Sequence, residues 1–576
     1  MSGESYGPVA RIRGDGYAMI RRLIILVLSC LLGGSSLFAA RERLELRRVS
    51  LDLPGPPARV LPWDLNGDGR QDLVVVVAYT EIEEVGEDFI EEMVQISRVI
   101  PTLFDRREVR AYLAVDDGGY ELAGEPLELP LRVLHMEVGA AGLGVIALTD
   151  DGIARLRFDS GAPGQVAMRL EPAIADPPLL ARTRRFYADL ELVHDLDGDG
   201  IEDVLVPGSE APTVYLGTTS GLSTTPTQRI WLPPIADREG ERTRRSYPLP
   251  EVVEVNGDGL PDLVFAGLEN GRAPIDVYLG SGGGRFRPLR EEALDCHDRQ
   301  SDLRLGVDDP GAWPWPRDLT AFGDLDGDGR AEVVTSIEKS RGDSLRKEMK
   351  DAKKPIQTFG FHELGDDLTV DADPYFEMKV IGHSMEGSFD DDDDDESGSP
   401  FEFEQFIDLD GDGRKDLITV TLDFSIFQVV KILATKKIGI GLNFHVYAQQ
   451  ADGSFREVPD LDLSEKLKLD LNDLKIGRFA QFAGDFDGDG RQDFVHLGRG
   501  KVITVHRGQP GCVYPKDPDL VIELEEEPAR LDLVRIEDLD GDGRSDIRIT
   551  RPLPIDDPDV TAPVRLELYL SGGGQP

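Results

Sequence analysis

Residues 485–493 read DFDGDGRQD and lead directly into the apolar run FVHLG. Carboxylates occupy positions 1, 3, 5 and 9 of this nonapeptide, and glycine occupies position 6. Glycine adopts a positive φ without steric cost, so the chain can curl here and turn alternate side chains toward one point. The stretch therefore predicts a tight acidic loop that precedes a β-strand.

The same pattern recurs six more times along the chain. The copies are DLNGDGRQD (64–72), DLDGDGIED (195–203), EVNGDGLPD (254–262), DLDGDGRAE (324–332), DLDGDGRKD (408–416) and DLDGDGRSD (538–546). After the first gap, successive copies start 53 to 84 residues apart. This repeat length is typical of one four-stranded blade of a β-propeller with variable hairpins.

The first gap is about twice as long as a repeat, and it contains strand-like runs without an acidic loop. These runs are 131–138, 144–152, 153–159 and 166–172. Short β-rich runs broken by Gly and Asp are typical of hairpins. We therefore expect an all-β fold, a single propeller of eight blades of which seven carry the loop. Seven blades is the alternative if 131–172 is only a long insert.

The two ends of the chain predict how the ring closes. Only two strands follow the last loop, at 546–552 and 564–573, whereas RLELRRVSLDL (43–53) supplies a spare strand. Pairing this strand with the last blade would remove exposed sheet edges. Short helical inserts are expected between the second and third strands of three blades, at 83–104, 340–354 and 424–437.

The residue types in the loops point to a metal. Oxygen side chains at positions 1, 3, 5 and 9, with a main-chain carbonyl at position 7, form the all-oxygen ligand set that Ca²⁺ prefers. Mg²⁺ is the second choice because it demands stricter geometry. No Cys or His occupies a ligand position of any loop, which argues against zinc. Simple Asp-Gly turns would not require the same four acidic or Asn positions seven times.

The loops differ from EF-hands, since position 12 is never acidic and a strand follows instead of a helix. We predict up to seven structural Ca²⁺ ions. Their predicted ligands are Asp64, Asn66, Asp68, Arg70, Asp72, Asp195, Asp197, Asp199, Ile201, Asp203, Glu254, Asn256, Asp258, Leu260, Asp262, Asp324, Asp326, Asp328, Arg330, Glu332, Asp408, Asp410, Asp412, Arg414, Asp416, Asp485, Asp487, Asp489, Arg491, Asp493, Asp538, Asp540, Asp542, Arg544 and Asp546.

These loops, with the Val-Tyr-Leu-Gly segments at 214–217 and 277–280 and SGGGRF at 281–286, resemble FG-GAP/VCBS repeats. Such repeats form the calcium-bearing blades of integrin α-subunit propellers and of many secreted bacterial proteins. The resemblance covers roughly 58–576, except the blade without a loop. It implies the fold and the metal but not the function, because adhesins, lectin-like propellers and enzyme accessory domains share it. Asn at position 3 and Glu at positions 1 or 9 depart from the pattern and predict weaker binding.

The N-terminus predicts export. Met19, Arg21 and Arg22 precede an apolar stretch that ends in small residues at position 40, which is typical of a cleaved signal peptide. We expect residues 1–40 to be the signal with an N-terminal extension, and 41–576 to be the propeller. The mature protein would be periplasmic, cell-surface or secreted. Membrane contact is expected only through lipidation at Cys30, and the apolar residues after this cysteine argue against lipidation.

Charge and motifs restrict the function. A formal net charge of -46 would repel nucleic acid and anionic lipid. No HExxH or G-x-S-x-G motif is present, so we expect a protein that is not an enzyme and that recognises or scaffolds an extracellular protein or glycan. Trp313 and Trp315 are candidates for stacking on a sugar or for packing between blades. The alternative is a hydrolase or lyase that acts on polysaccharide. Cys296 and Cys512 could form a disulfide.

Overall fold

The computed structural model describes residues 44–79, 106–116, 118–130, 132–139, 142–160, 166–179, 190–219, 221–231, 235–239, 242–246, 250–266, 275–288, 318–338, 355–364, 373–382, 405–423, 437–470, 475–476, 479–497, 501–529, 533–553 and 562–572. The chain divides into two compact units, Met1–Leu44 and Glu45–Pro576. All strands named below lie in the second unit. Within the described residues, no helix has the length and apolar character needed to cross a membrane.

The first half of the second unit contains four blades and one separate hairpin. In chain order the strands are β1 (Leu46–Leu53); β2 (Pro57–Trp63), β3 (Asp72–Tyr79), β4 (Arg106–Ala114), β5 (Tyr120–Leu122) and β6 (Leu127–Glu128) in blade 1; β7 (Val133–Gly139), β8 (Gly144–Thr149), β9 (Gly152–Ser160) and β10 (Val166–Ala175) in blade 2; β11 (Val193–His194), β12 (Asp203–Pro207), β13 (Pro212–Tyr215) and β14 (Gln228–Arg229) in blade 3; β15 (Ile235–Glu239) and β16 (Arg242–Ser246) in the hairpin; and β17 (Glu251–Val253), β18 (Asp262–Ala266), β19 (Ile275–Gly280) and β20 (Phe286–Pro288) in blade 4.

The second half contains blades 5 to 8. Its strands are β21 (Asp318–Gly323), β22 (Glu332–Glu338), β23 (Pro355–Glu363) and β24 (Phe376–Ile381) in blade 5; β25 (Phe406–Ile407), β26 (Asp416–Asp423), β27 (Lys437–Tyr447), β28 (Leu461–Asp470) and β29 (Lys475–Ile476) in blade 6; β30 (Phe479–Phe482), β31 (Phe494–Leu497), β32 (Val502–His506) and β33 (Leu520–Glu523) in blade 7; and β34 (Val534–Glu537), β35 (Asp546–Pro552) and β36 (Val564–Ser571) in blade 8.

Each blade is an antiparallel sheet, and the core lies between neighbouring blades. Strand β3 shows why its sequence, DLVVVVAY, is continuously apolar. Val74 and Val76 pack toward blade 2, whereas Val75 and Val77 pack toward blade 8. Successive side chains of a strand point to opposite faces, so a strand between two blades buries both. The predicted propeller of four-stranded blades is confirmed, and blades 1 and 6 each carry one additional short strand.

Blade 2 decides the number of blades. Its strands β7 to β10 form a four-stranded antiparallel sheet without an acidic loop. The eight-bladed prediction is therefore confirmed, and the seven-bladed alternative is wrong. The hairpin β15–β16 was not predicted. The expected helical inserts at 83–104 and 340–354 lie outside the described residues, as does 424–436, and Lys437 begins a strand.

Strand β1 closes the ring, as predicted. It pairs antiparallel with β36 from Leu46 opposite Ser571 to Leu53 opposite Val564. The sheet order of blade 8 is therefore β1-β36-β35-β34. Leu51 and Leu53 are buried in the cluster between blades 8 and 1. The first and last strands of the propeller thus share one blade, in which β36 is paired on both sides and β1 takes the edge position.

Candidate metal centres

The carboxylate at position 1 organises each acidic loop. In the loop 485–493, Asp485 Oδ1 accepts hydrogen bonds from the amides of Gly488 (2.7 Å) and Asp489 (3.1 Å), and Oδ2 accepts one from Gly490 (2.7 Å). Gly488 and Gly490 have φ values of 73° and 82°. Only glycine adopts this conformation without strain. The glycines and the first acid therefore determine the curl that the sequence predicted.

The acid at position 9 joins the loop to the third strand of its blade. Asp493 Oδ2 accepts a hydrogen bond from the amide of Phe486 (2.9 Å), and Oδ1 accepts one from Gly508, just after β32 (2.8 Å). Burial, with nearby acids, raises the pKa of Asp493 to about 7. The equivalent residues Asp72, Asp203, Asp262, Asp416 and Asp546 make the same two contacts.

Carboxylate oxygens converge in five of the seven loops. In each of these loops, oxygens of three acids lie within 4.8 Å of one another. The groups are Asp195, Asp197 and Asp199; Asp324, Asp326 and Glu332; Asp408, Asp410 and Asp416; Asp485, Asp487 and Asp489; and Asp538, Asp540 and Asp542. The loops at 64–72 and 254–262 have Asn at position 3, and there the amide of Asn66 or Asn256 donates to the acid at position 5.

Three of these loops contain a buried carboxylate oxygen without a protein partner, which is compatible with a bound cation. The Oδ1 atoms of Asp410, Asp487 and Asp540, all at position 3, are buried and accept no hydrogen bond from the protein. A buried acceptor without a partner costs free energy, and a carboxylate costs more than a neutral group. A hard cation among the three acids would satisfy these oxygens. The full set of ligand positions stays a prediction.

Position 7 contributes an interaction that the sequence analysis missed. Its side chain was given no role, yet the Arg70 guanidinium contacts Asp68 Oδ2 of the same loop at 2.7 Å. This hydrogen bond lowers the pKa of Asp68 to about 2. Arg414 and Arg491 pair with the position-5 acids of their loops in the same way. These arginines offset part of the loop charge from the outside.

Neighbouring loops are joined by a repeated main-chain hydrogen bond. The amide at position 8 donates to a carbonyl at position 2 or 1 of the preceding loop, which links the loops of blades 4 to 8 in order. The bonds are Ala331 to Val255 (3.1 Å), Lys415 to Leu325 (2.7 Å), Gln492 to Leu409 (3.1 Å) and Ser545 to Asp485 (2.7 Å). Position 8 of blade 4 is Pro261, which has no amide hydrogen to donate to blade 3. The loops of blades 4 to 8 therefore form one continuous hydrogen-bonded series.

Blade 2 has a side-chain cation beside the connection that replaces its acidic loop. The Arg155 guanidinium, on β9, donates to the carbonyl oxygens of Gly142 and Leu143, the latter at 2.6 Å. Both carbonyls lie between β7 and β8, where the other blades carry the acidic nonapeptide. Burial lowers the pKa of Arg155. In blade 2 the Arg155 side chain thus binds the carbonyl oxygens of this connection, which contains no acidic residue.

We expect Arg155→Met to destabilise the protein equally in calcium and in EGTA. The change removes a charged donor from two carbonyls, at a cost of about 1.5–3 kcal/mol. Urea unfolding under both conditions measures it. Arg157→Met is the control, because Arg157 pairs with Glu171 at the surface and such pairs contribute about 1 kcal/mol or less. A larger loss for Arg157→Met than for Arg155→Met would contradict the interpretation.

The cysteine and tryptophan residues singled out from the sequence lie partly outside the described residues. Cys512 is a buried free thiol that donates to Asp416 Oδ2 (3.1 Å), and Cys296 lies outside the described residues. Trp313 and Trp315 also lie outside them. Trp231, between blade 3 and the hairpin, is 57 % exposed and was not singled out from the sequence.

Comparisons with known proteins agree with the repeat motif. A family model described as FG-GAP-like repeat matches residues 255–335, which include most of the blade 4 loop and all of the blade 5 loop. The predicted resemblance to FG-GAP repeats is thereby confirmed. No curated protein matches the chain.

Three solved structures are similar to the chain only at a low level. A protein from Lactobacillus plantarum has 11% identity and a TM-score of 0.28, covering 71% of this chain and 84% of that one. The Photorhabdus luminescens Tc holotoxin pore has 12% identity and a TM-score of 0.26, covering 88% and 23%. Sucrose-6-phosphate hydrolase from Lactobacillus gasseri has 11% identity and a TM-score of 0.19, covering 95% and 96%. Similarity at these TM-scores supports no functional conclusion.

Proposed function

We propose that the protein is an exported, calcium-stabilised β-propeller that recognises or scaffolds an extracellular protein or glycan at the cell envelope. Its acidic loops serve the structure and not catalysis. The observation that supports metal binding is the set of buried Oδ1 atoms of Asp410, Asp487 and Asp540 that accept no hydrogen bond from the protein. Calcium is favoured over Mg²⁺ because Ca²⁺ accepts many oxygen ligands in flexible geometry, whereas Mg²⁺ demands near-ideal octahedral geometry and retains more water.

A structural role for the loops follows from their contacts. Positions 1 and 9 already hold amides of the loop and of the third strand, as Asp485 and Asp493 do. A metal ion would add ligation to oxygens that connect parts of one blade. Its binding free energy would then contribute to folding, as in other structural metal sites. Export is supported by the signal-like residues 19–40. It is also supported by the predicted calcium sites, because extracellular calcium-binding modules bind the ion weakly and depend on the calcium of the extracellular medium.

A glycan-array screen in millimolar Ca²⁺, repeated in EGTA, tests the recognition role. Calcium-dependent binding that falls at least about tenfold with Trp231→Ala or with Trp313→Ala/Trp315→Ala would identify a glycan-recognition propeller, because aromatic side chains provide anchoring contacts to ligands. Trp63→Phe is the control, since Trp63 packs between blades 1 and 2. A folded protein that binds no glycan and retains no protein partner in pull-downs from envelope extracts would overturn the proposal.

A further inference from the structure

Blade 6 carries a row of hydrogen-bonded polar side chains away from the acidic loops. His445 on β27 lies directly opposite Asp462 on β28, and Thr421 on β26 lies diagonally across from His445, two residues beyond its direct partner Thr419. The Thr421 Oγ1 to His445 Nε2 distance is 3.0 Å, and the His445 Nδ1 to Asp462 Oδ1 distance is 2.6 Å. Hydroxyl, imidazole and carboxylate are therefore connected in sequence through the two nitrogens of one ring.

The directions of these hydrogen bonds follow from the chemistry of the groups. A carboxylate can only accept, so His445 Nδ1 carries the proton that is donated to Asp462. In the neutral imidazole, Nε2 is then the acceptor, and the Thr421 hydroxyl donates to it. This is the arrangement in which a base removes a proton from a hydroxyl while a third group holds its tautomer.

A fourth side chain lies beside the hydroxyl. Asn443 Nδ2 is 3.4 Å from Thr421 Oγ1, and the Ser464 hydroxyl donates to Asn443 Oδ1 at 2.7 Å. The contact with Ser464 turns the amide nitrogen of Asn443 toward Thr421. An amide donor next to a nucleophile can stabilise negative charge on the oxygen of an attacked carbonyl group.

Blades 5 and 7 have related Thr–His pairs with different surroundings. Thr335 Oγ1 and His362 Nε2 are 3.0 Å apart, but both residues are completely buried, so no substrate reaches them. In blade 7, His506 Nδ1 contacts the carbonyl oxygen of Pro515 at 2.8 Å, and a neutral carbonyl stabilises an imidazolium less than a carboxylate does. In blade 6, Thr421 and His445 are 8% and 9% exposed, and the side chain of Asp462 is 64% exposed.

We propose that Thr421, His445 and Asp462 form an acyl-transfer site that hydrolyses esters of small acyl groups. Thr421 Oγ attacks the ester carbonyl carbon, and its proton passes to His445 Nε2. Asn443 Nδ2 donates to the oxyanion of the tetrahedral intermediate. The intermediate collapses, the alcohol leaves with the proton from His445, and an acyl-threonine remains.

Water completes the cycle. His445 removes a proton from a water molecule that attacks the acyl-threonine, and Thr421 then takes the proton back as the carboxylic acid leaves. The overall reaction converts an ester and water into an acid and an alcohol. The narrow exposure of Thr421 restricts the acyl group to a small one, such as acetyl.

The site is independent of the predicted metal centres. Thr421 follows Asp416 by five residues along β26, a distance of about 16 Å at 3.3 Å per residue. The inference therefore does not rest on the proposed recognition role. It also differs from the sequence-based expectation of a protein that is not an enzyme, because that expectation considered only local motifs.

Labelling of the full-length protein with a fluorophosphonate probe tests the proposal. The probe should form a covalent adduct on the peptide that contains Thr421, identified by mass spectrometry. Hydrolysis of p-nitrophenyl acetate should fall about 10²-fold or more in Thr421→Val and His445→Gln, within the range for general acid–base catalysis. Asp462→Asn should also lose activity, since the imidazole tautomer is no longer held.

Two variants keep the test decisive. Thr421→Ser retains a hydroxyl and should retain labelling, and Thr335→Val removes the buried pair of blade 5 and should leave labelling at Thr421 unchanged. Melting temperatures confirm that each variant is folded. The proposal is overturned if the folded protein forms no adduct at Thr421, or if Thr421→Val hydrolyses the ester as fast as the unaltered protein.

Discussion

Removal of divalent cations with EGTA is expected to lower the melting temperature of the protein more than any single substitution. Each acidic loop holds three or four carboxylates at its ligand positions, and without a cation their mutual repulsion opposes the folded state. A metal that binds only the folded protein stabilises it by about 2.7 kcal/mol per site at 100 times Kd. Thermal melts followed by circular dichroism in Ca²⁺, Mg²⁺ and EGTA measure the effect.

The pH dependence of the EGTA-treated protein provides the control. Burial raises the pKa of Asp493 and Asp546 to about 7, from a usual value of 3.8, and raises that of Glu332 to about 8, from 4.5. Between about pH 4 and pH 7–8 the folded state binds more protons than the unfolded state, so its stability falls as the pH rises. The metal-free protein should melt at a higher temperature at pH 5.5 than at pH 8.

Calcium should abolish this loss of stability at higher pH, because the ion takes over the charge compensation that protons provide at low pH. The calcium-loaded protein is therefore expected to keep its stability at pH 8. Identical melting curves with and without EGTA at both pH values would contradict the assignment of the loops as structural metal centres. Equal rescue by Mg²⁺ would leave a metal requirement but contradict the choice of calcium.

The second large effect is expected from Glu567→Gln in the closing blade. Glu567 on β36 is 2% exposed and pairs with Arg551 of β35 at 2.7 Å and with Arg48 of β1 at 2.8 Å. Removing its charge leaves the buried Arg551 without its anion, and breaking one partner of a buried ion pair costs about 3–5 kcal/mol. Urea unfolding of the variant should show this loss.

A matched surface pair separates burial from charge. Arg229 and Glu210 also form an ion pair, but their side chains are 42% and 66% exposed. Glu210→Gln should therefore change the free energy of unfolding by about 1 kcal/mol or less. The double variant Arg551→Met/Glu567→Leu should recover part of the stability, since it removes both buried charges. Equal losses for Glu567→Gln and Glu210→Gln would contradict the role of Glu567 in closing the ring.

The repeated features of this protein could be predicted because their causes are local. The acid-glycine spacing of 485–493 determines a curled loop through hydrogen bonds between residues three to five apart. The apolar run of β3 indicates a strand buried on both faces. Repetition at blade length then predicts a propeller, and the spare strand at 43–53 predicts its closure. These predictions do not depend on knowing which blade packs against which.

Contacts between distant residues decided the rest. Asp493 is a predicted ligand that also accepts a hydrogen bond from Gly508, just after the third strand, and this contact forms only when the hairpin has folded back. The sequence by itself determined the acidic loops and the strands that follow them, because backbone conformation and side-chain alternation follow from neighbours along the chain. Only the pairing of β7 to β10 decided between seven and eight blades. The alignment of Thr421, His445 and Asp462 depends on strand register across three strands, so only the tertiary structure brings their side chains together.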